Sequence, residues 1–501
     1  MPVFHPVVKR VPGALLSLST IFALSTALIL TACGGSSAGG GSTPPPPPNG
    51  AKEWAWMSGS NTANAIGVYG TQGVASASNV PGARSGSVSW TDGGGNLWLF
   101  GGWGGDSTGT FGELNDLWEF SPTAKEWTWM SGSNTINATG VYGTLGTASA
   151  SNVPGARDSA VSWTDSSGNF WLFGGEGYTT TGGFGGFLND LWEFSPTTKE
   201  WTWMSGADTP NASGVYGTQG VASASNVPGA RGSESGGAAL SWTDKSGNLW
   251  LFGGSGYDST GTNGGLNDLW EFNLTAKTWT WVSGSNTANA FGVYGTQGVA
   301  SASNVPGARS YSVNWTDRSG NLWLFGGSGL GAVGSSGYDL DDLWEFNPTT
   351  KEWTWVNGSD TGGIAPVYGT EGVASTNNTP GGRDSAVSWT DSSGNFWLFG
   401  GFDYDGPSGA NGTNEYLNDL WEYNTTSKEW TWVGGSNTGG ASGVYGTLGV
   451  ASTRNVPGAR GSEGVAVTWT DSSGNLWLFG GVGYDSTGTW GELNDLWRYQ
   501  P

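Results

Sequence analysis

The stretch from Pro154 to Met204, PGARDSAVSWTDSSGNFWLFGGEGYTTTGGFGGFLNDLWEFSPTTKEWTWM, is one of six similar copies along the chain. Their opening arginines stand at Arg84, Arg157, Arg231, Arg309, Arg383 and Arg460, at steps of 73, 74, 78, 74 and 77 residues. Such self-similarity decides the architecture before any motif is read, because each copy can bury its apolar faces only against the next. Length alone would suggest about three ordinary domains. The repeat favours one closed array instead.

Each copy reads as four strands. The first lies near SAVSWTD, and the DSSGN turn leads into the second, NFWLFGG, as a hairpin. The third is LNDLWEF, and a turn containing proline and lysine leads to the fourth, KEWTWM. The second strand is apolar at consecutive positions, with Phe170 and Leu172 on one side and Trp171 and Phe173 on the other. Such a strand is buried on both faces. After residue 50 no amphipathic run has a helical period.

The array begins with KEWAWMSG, the end of the repeat, and stops at Leu493 to Pro501, lacking that end. One fragment completes the other, and pairing the two termini would close a ring and remove its edge.

Four strands per copy, a glycine pair after the second and a tryptophan pair spanning the third and fourth resemble the kelch repeat. The residues are Gly174, Gly175, Trp192 and Trp201, recurring as Gly253, Gly254, Trp270 and Trp279, and as Gly326, Gly327, Trp344 and Trp353. The resemblance covers 51–501 and implies an all-β, six-bladed kelch-type β-propeller. Its blades would have four antiparallel strands, the first lining the channel, and the N-terminal strand would complete the last blade. These copies exceed the roughly 50 residues of a kelch unit. The excess, for example 131–153, lies between the fourth strand and the next first strand. It is expected on the same face as the long connection from second to third strand, which is where binding is expected.

Residues 1–33 carry Lys9 and Arg10, an apolar run, and then Leu30, Thr31, Ala32 and Cys33. This resembles the lipobox of bacterial lipoproteins and implies a signal peptide, lipidation at Cys33 and attachment to a membrane through the lipid alone. The absence of aspartate after Cys33 favours the outer membrane. Residues 34–50, GGSSAGGGSTPPPPPNG, read as a flexible and then extended tether.

The net charge is −22, which disfavours a nucleic-acid partner. Cys33 and His5 are the sole cysteine and histidine, so 51–501 contains no thiol nucleophile, histidine base or zinc site of ordinary composition. The kelch resemblance brings in galactose oxidase, whose copper site needs histidines and a cysteine-linked tyrosine, and composition excludes it. No cofactor is expected. Calcium in acidic loops such as Asp403 to Asp405 or Asp339 to Asp342 is weighed against plain solvated charge.

Two kinds of candidate residue remain. The repeated arginines are expected to reach across the glycine pair to aspartates: Arg84 to Asp116, Arg157 to Asp190, Arg231 to Asp268, Arg309 to Asp342, Arg383 to Asp419 and Arg460 to Asp495. Sixfold repetition favours a structural role over the acidic-partner binding of some kelch domains. The repeated GVYGT tyrosines, such as Tyr69 and Tyr142, are expected to cover sheet edges.

Departures from the repeat are the better site candidates. Five tryptophans per copy leave over Trp103 and Trp490, in the connections from second to third strand of the first and sixth copies. Asp106, Phe111, Glu113, Asp485 and Glu492 stand beside them, and Tyr178, Tyr257, Tyr338, Tyr404 and Tyr484 extend the aromatic supply. Stacking on a sugar ring with carboxylates accepting its hydroxyls is weighed equally with packing of the loops on each other. The expected function is non-catalytic binding of a glycan or protein. The alternatives are a carbohydrate-active enzyme using Asp or Glu of the same face, and a scaffold or adhesin.

Overall fold

The computed structural model describes residues 52–180, 183–232, 238–333, 339–403, 415–461 and 465–501. Cys33, the tether, Tyr338 and Tyr404 lie outside the described residues. All regular structure among the described residues is β, and every strand pairing is antiparallel.

Six sheets of four or five strands follow the six copies. In the second copy Val161–Thr164, Phe170–Phe173, Leu191–Ser195 and Glu200–Ser205 pair in sequence order. In the last copy the outer position is taken by Glu53–Ser58 from the N-terminal end, paired with Leu496–Gln500. The doubly apolar second strand explains the core. Leu97 and Leu99 join one hydrophobic cluster while Trp98 and Phe100 join the next, so each sheet is packed on both sides.

The DSSGN hairpin closes on its aspartate. Asp165 Oδ1 accepts the backbone N–H groups of Ser167 and Asn169, and Oδ2 accepts Trp171 Nε1 at 3.0 Å. An Asx turn and a buried indole donor are thereby satisfied by one carboxylate.

Neighbouring copies are joined through their first strands by two sets of hydrogen bonds. Ser89 donates to the carbonyl of Thr468, Ser162 to Ser89, Ser241 to Ser162, Asn314 to Ser241, Ser388 to Asn314 and Thr468 to Ser388, at 2.6–3.2 Å. In the other direction, Trp90 Nε1 donates to Trp171 O, Trp163 to Trp250, Trp242 to Trp323, Trp315 to Trp397, Trp389 to Trp477 and Trp469 to Trp98. Both successions return to their starting copy. A cavity of about 200 Å³ is bordered by the first strands of all six copies.

The long excursion before each first strand differs from the sequence expectation. Only its beginning backs the face with the long connections, where Asn64 N donates to Glu492 O at 2.7 Å. Its later part runs along the outer sheet edge: Gly73 N and Ser76 N donate to the carbonyls of Trp129 and Trp127, and Asn79 Nδ2 also reaches Trp127 O. The free carbonyls of strand Glu126–Ser131 take these donors, so the added residues cover an edge that would otherwise recruit another strand.

Candidate functional site

The six repeated arginines are buried and each meets its aspartate in a two-pronged ion pair, Arg84 with Asp116 at 2.7 and 2.8 Å. The other five are Arg157–Asp190, Arg231–Asp268, Arg309–Asp342, Arg383–Asp419 and Arg460–Asp495. Arg84 also donates to the carbonyls of Gly82 and Gly101. The GVYGT tyrosines do more than cover an edge. Tyr69 donates its hydroxyl to Asp116 Oδ2 at 2.5 Å, and Trp118 Nε1 donates to the same oxygen at 2.7 Å. Burial, reinforced by the Asp116 carboxylate, pushes the Tyr69 hydroxyl far above the usual phenol range and keeps it a donor. Nothing in this buried network is accessible to a partner.

Beyond the glycine pair the second and third strands continue. The loops expected there are two-stranded ribbons, which corrects the placement of Trp103, Trp490, Tyr178, Tyr257 and Tyr484. In the first copy Leu97–Gly105 pairs with Phe111–Ser121, placing Trp103 opposite Glu113. In the second, Glu176–Tyr178 pairs with Phe184–Phe187, and in the sixth, Val482–Tyr484 pairs with Trp490–Glu492. The physical reason is a bulge. Gly101 and Gly102 adopt φ of 65° and 95°, and the register shifts between Phe100 and Gly102, so the glycines bend the ribbon without ending it.

The two faces of this ribbon differ. Arg84, opposite Gly104, turns toward Asp116, and on that face a Cβ added to Gly112 would lie 2.8 Å from Asn137 Oδ1 of the excursion. The other face carries the next residues in alternation. Ser85 pairs with Trp103 and Trp103 with Glu113. In the second copy the same row is Asp158, Glu176 and Phe187. It is Ser310, Ser328 and Asp339 in the fourth, Asp384, Phe402 and Tyr416 in the fifth, and Val482 and Glu492 in the sixth. Two residues further out, the pairs Tyr178 with Phe184, Tyr257 with Asn263 and Tyr484 with Trp490 occupy the same face.

Trp103, Glu113, Glu492, Tyr178, Tyr257, Tyr484 and Trp490 therefore share one face. Tyr416 sits 5.9 Å from Tyr484 and 6.3 Å from Trp490, ring to ring, and Trp490 is 47% exposed. Trp103 packs on Phe111 at 5.5 Å, and Phe187 of the second copy on Tyr257 of the third at 6.1 Å. Burial and the Glu113 charge raise the Tyr178 hydroxyl above its ordinary value, which sets the first and second copies side by side here.

Asp106 and Asp485 are excluded from this face. Asp106 Oδ1 accepts the N–H groups of Thr108 and Thr110 and the Thr108 hydroxyl, while Oδ2 accepts Ile136 N. Burial opposes its ionisation, but these bonds overcome it and hold the carboxyl below the usual range. Asp485 does the same with Thr487, Thr489 and Ala63. Both shape the ribbon tip. Asp339 to Asp342, read as a loop, lies within strand Asp339–Asn347, with Asp342 engaged by Arg309. Among the described residues no three acidic side chains converge closely enough to hold a metal ion.

Sequence reasoning missed Asp158, Glu176, Asp384, Phe402 and Tyr416. Their signal is alternation around the repeated arginine: the residue after it is Ser85, Asp158, Gly232, Ser310, Asp384 or Gly461, and this varying position faces away from the invariant network. The face combines aromatic rings and carboxyl groups, a pairing suited to sugar rings and their hydroxyls. The chain matches no protein-family model and no curated protein.

Proposed function

We propose that residues 51–501 form a six-bladed kelch-type β-propeller, exported and held at a membrane surface by a lipid on Cys33, that binds a glycan without chemically altering it. The returning hydrogen-bond successions and the cavity bordered by six first strands support the propeller. The observation that carries the function is the cluster of Trp490, Tyr484 and Tyr416, exposed at the end of the chain's most variable row. Trp490 is the one tryptophan among the described residues with close to half its surface open, and an exposed ring beside two tyrosines is a surface for stacking a ligand.

A glycan array probed with the wild-type protein and with Trp490→Ala tests this. Retention of specific glycans by the wild type, lost in the variant at unchanged melting temperature, is the expected result. An array with no bound glycan rejects the sugar reading and turns attention to a protein ligand.

A further inference from the structure

Six carboxyl side chains stand in the row that faces away from the arginine network: Glu113, Asp158, Glu176, Asp339, Asp384 and Glu492. No lysine, arginine or histidine occupies a position in it. At the seam between sixth and first copies, Glu492 Oε1 accepts a hydrogen bond from Ser85 Oγ at 3.2 Å. The equivalent positions at the first-to-second seam are Glu113 and Asp158, with Glu176 paired to Asp158 on its other side. At the fourth-to-fifth seam they are Asp339 and Asp384, brought across from each other because Arg383 N donates to Leu340 O. In the succession of six copies these two acidic seams are three steps apart, on opposite sides of the axis.

Immediately after Asp158 and Asp384 stand Ser159 and Ser385, whose φ values of 52° and 53° are costly for residues other than glycine. They are 5% and 3% exposed, and the Ser159 hydroxyl has no hydrogen-bond partner among the described residues. Ser159 borders the axial cavity. Asp384 Oδ1 is likewise without a partner, and burial pushes that carboxyl up to about 7. Buried polar groups in this condition leave hydrogen-bonding capacity open to water or a ligand.

We propose that the glycan bound by this face carries free amino groups, its ammonium groups seated between the carboxyls of the two acidic seams and its rings stacked on the aromatic residues of the same face. This deepens the glycan reading and rests on it. An ammonium offers three donors and a full charge, which matches a row rich in acceptors and lacking cations. A sugar acid would meet repulsion from the same row, and the chain's net charge of −22 favours approach of a cationic polymer. A compact metal ion fits less well, since the acids form separate groups across the axis.

The test is calorimetric titration of the full chain with a glucosamine hexamer and with its fully N-acetylated counterpart near pH 7, where the amines and Asp384 are each charged in part. The amino form is expected to bind at least about tenfold more tightly, as one charge-assisted contact would give. Asp158→Asn with Asp384→Asn should abolish that preference, lowering affinity for the amino form at least about tenfold more than affinity for the acetylated form. Equal affinity for the two hexamers overturns the inference and leaves the glycan reading standing. So does binding of neither hexamer while the array retains another glycan. The wild-type comparison needs no variant, so a misfolded double variant does not rescue the idea.

Discussion

Asp341 breaks a structural pattern that the other five copies keep. They place Asn115, Asn189, Asn267, Asn418 and Asn494 before the paired aspartate. Each side chain donates to a proline carbonyl of the following copy, at 3.0–3.2 Å, and accepts a backbone N–H. Asp341 still accepts Ser359 N at 3.1 Å but cannot donate when ionised, and Arg383 takes the carbonyl of Pro380 instead. Burial at 5% exposure, with the neighbouring Asp342 charge, pushes the Asp341 carboxyl from 3.8 to about 7. The folded state therefore binds the proton more tightly than the unfolded state. The contribution of Asp341 to stability falls as pH rises from about 4 to about 7, and the loss is complete above that. Three pKa units correspond to about 4 kcal/mol at most. Asp341→Asn removes the charge and restores the donor, so it should stabilise the protein by about 2–4 kcal/mol at pH 8 and by much less near pH 4. Guanidinium unfolding of both proteins across this pH range measures the gap. Asp384 titrates in both and cancels in the difference. A gap that stays constant with pH, or a variant no more stable at pH 8, would refute the reasoning.

Removing one side of a buried ion pair leaves the other uncompensated, so Arg231→Ala should cost about 3–5 kcal/mol in denaturant unfolding; an unchanged midpoint would contradict the structural role of the pair. Tyr142→Phe deletes only the hydroxyl bonded to Asp190 at 2.6 Å and should cost about 1–2 kcal/mol, visible as a lowered melting temperature. Trp54→Ala empties an aromatic site between the terminal strand and the fifth copy, with Tyr499 at 4.9 Å and Phe399 at 5.5 Å. It should cost about 3–5 kcal/mol and raise proteolytic cleavage near residue 58.

The sheets were legible because the second strand is apolar at every position. Leu172 and Trp171 must go to different neighbours, and they do. The ribbon beyond Gly174 and Gly175 was not legible, since a glycine pair reads as a strand end whereas here it bends a strand that continues. The tyrosine bonds were hidden by distance: Tyr69 and Asp116 are separated by 47 residues, and only the fold brings them together. Trp103 and Trp490 stood out as departures from the repeat. Asp158 and Asp384 did not, because a small polar position after an arginine carries no sign of which face it occupies until the ladder register is known.

Hydrogen–deuterium exchange with and without a bound glycan tests most directly where this protein works. Protection is expected in 97–113, 176–187 and 482–492, the ribbons that carry the variable row. Protection confined to the hairpin turns at 92–96 and 165–169, on the opposite side of the sheets, would contradict the account.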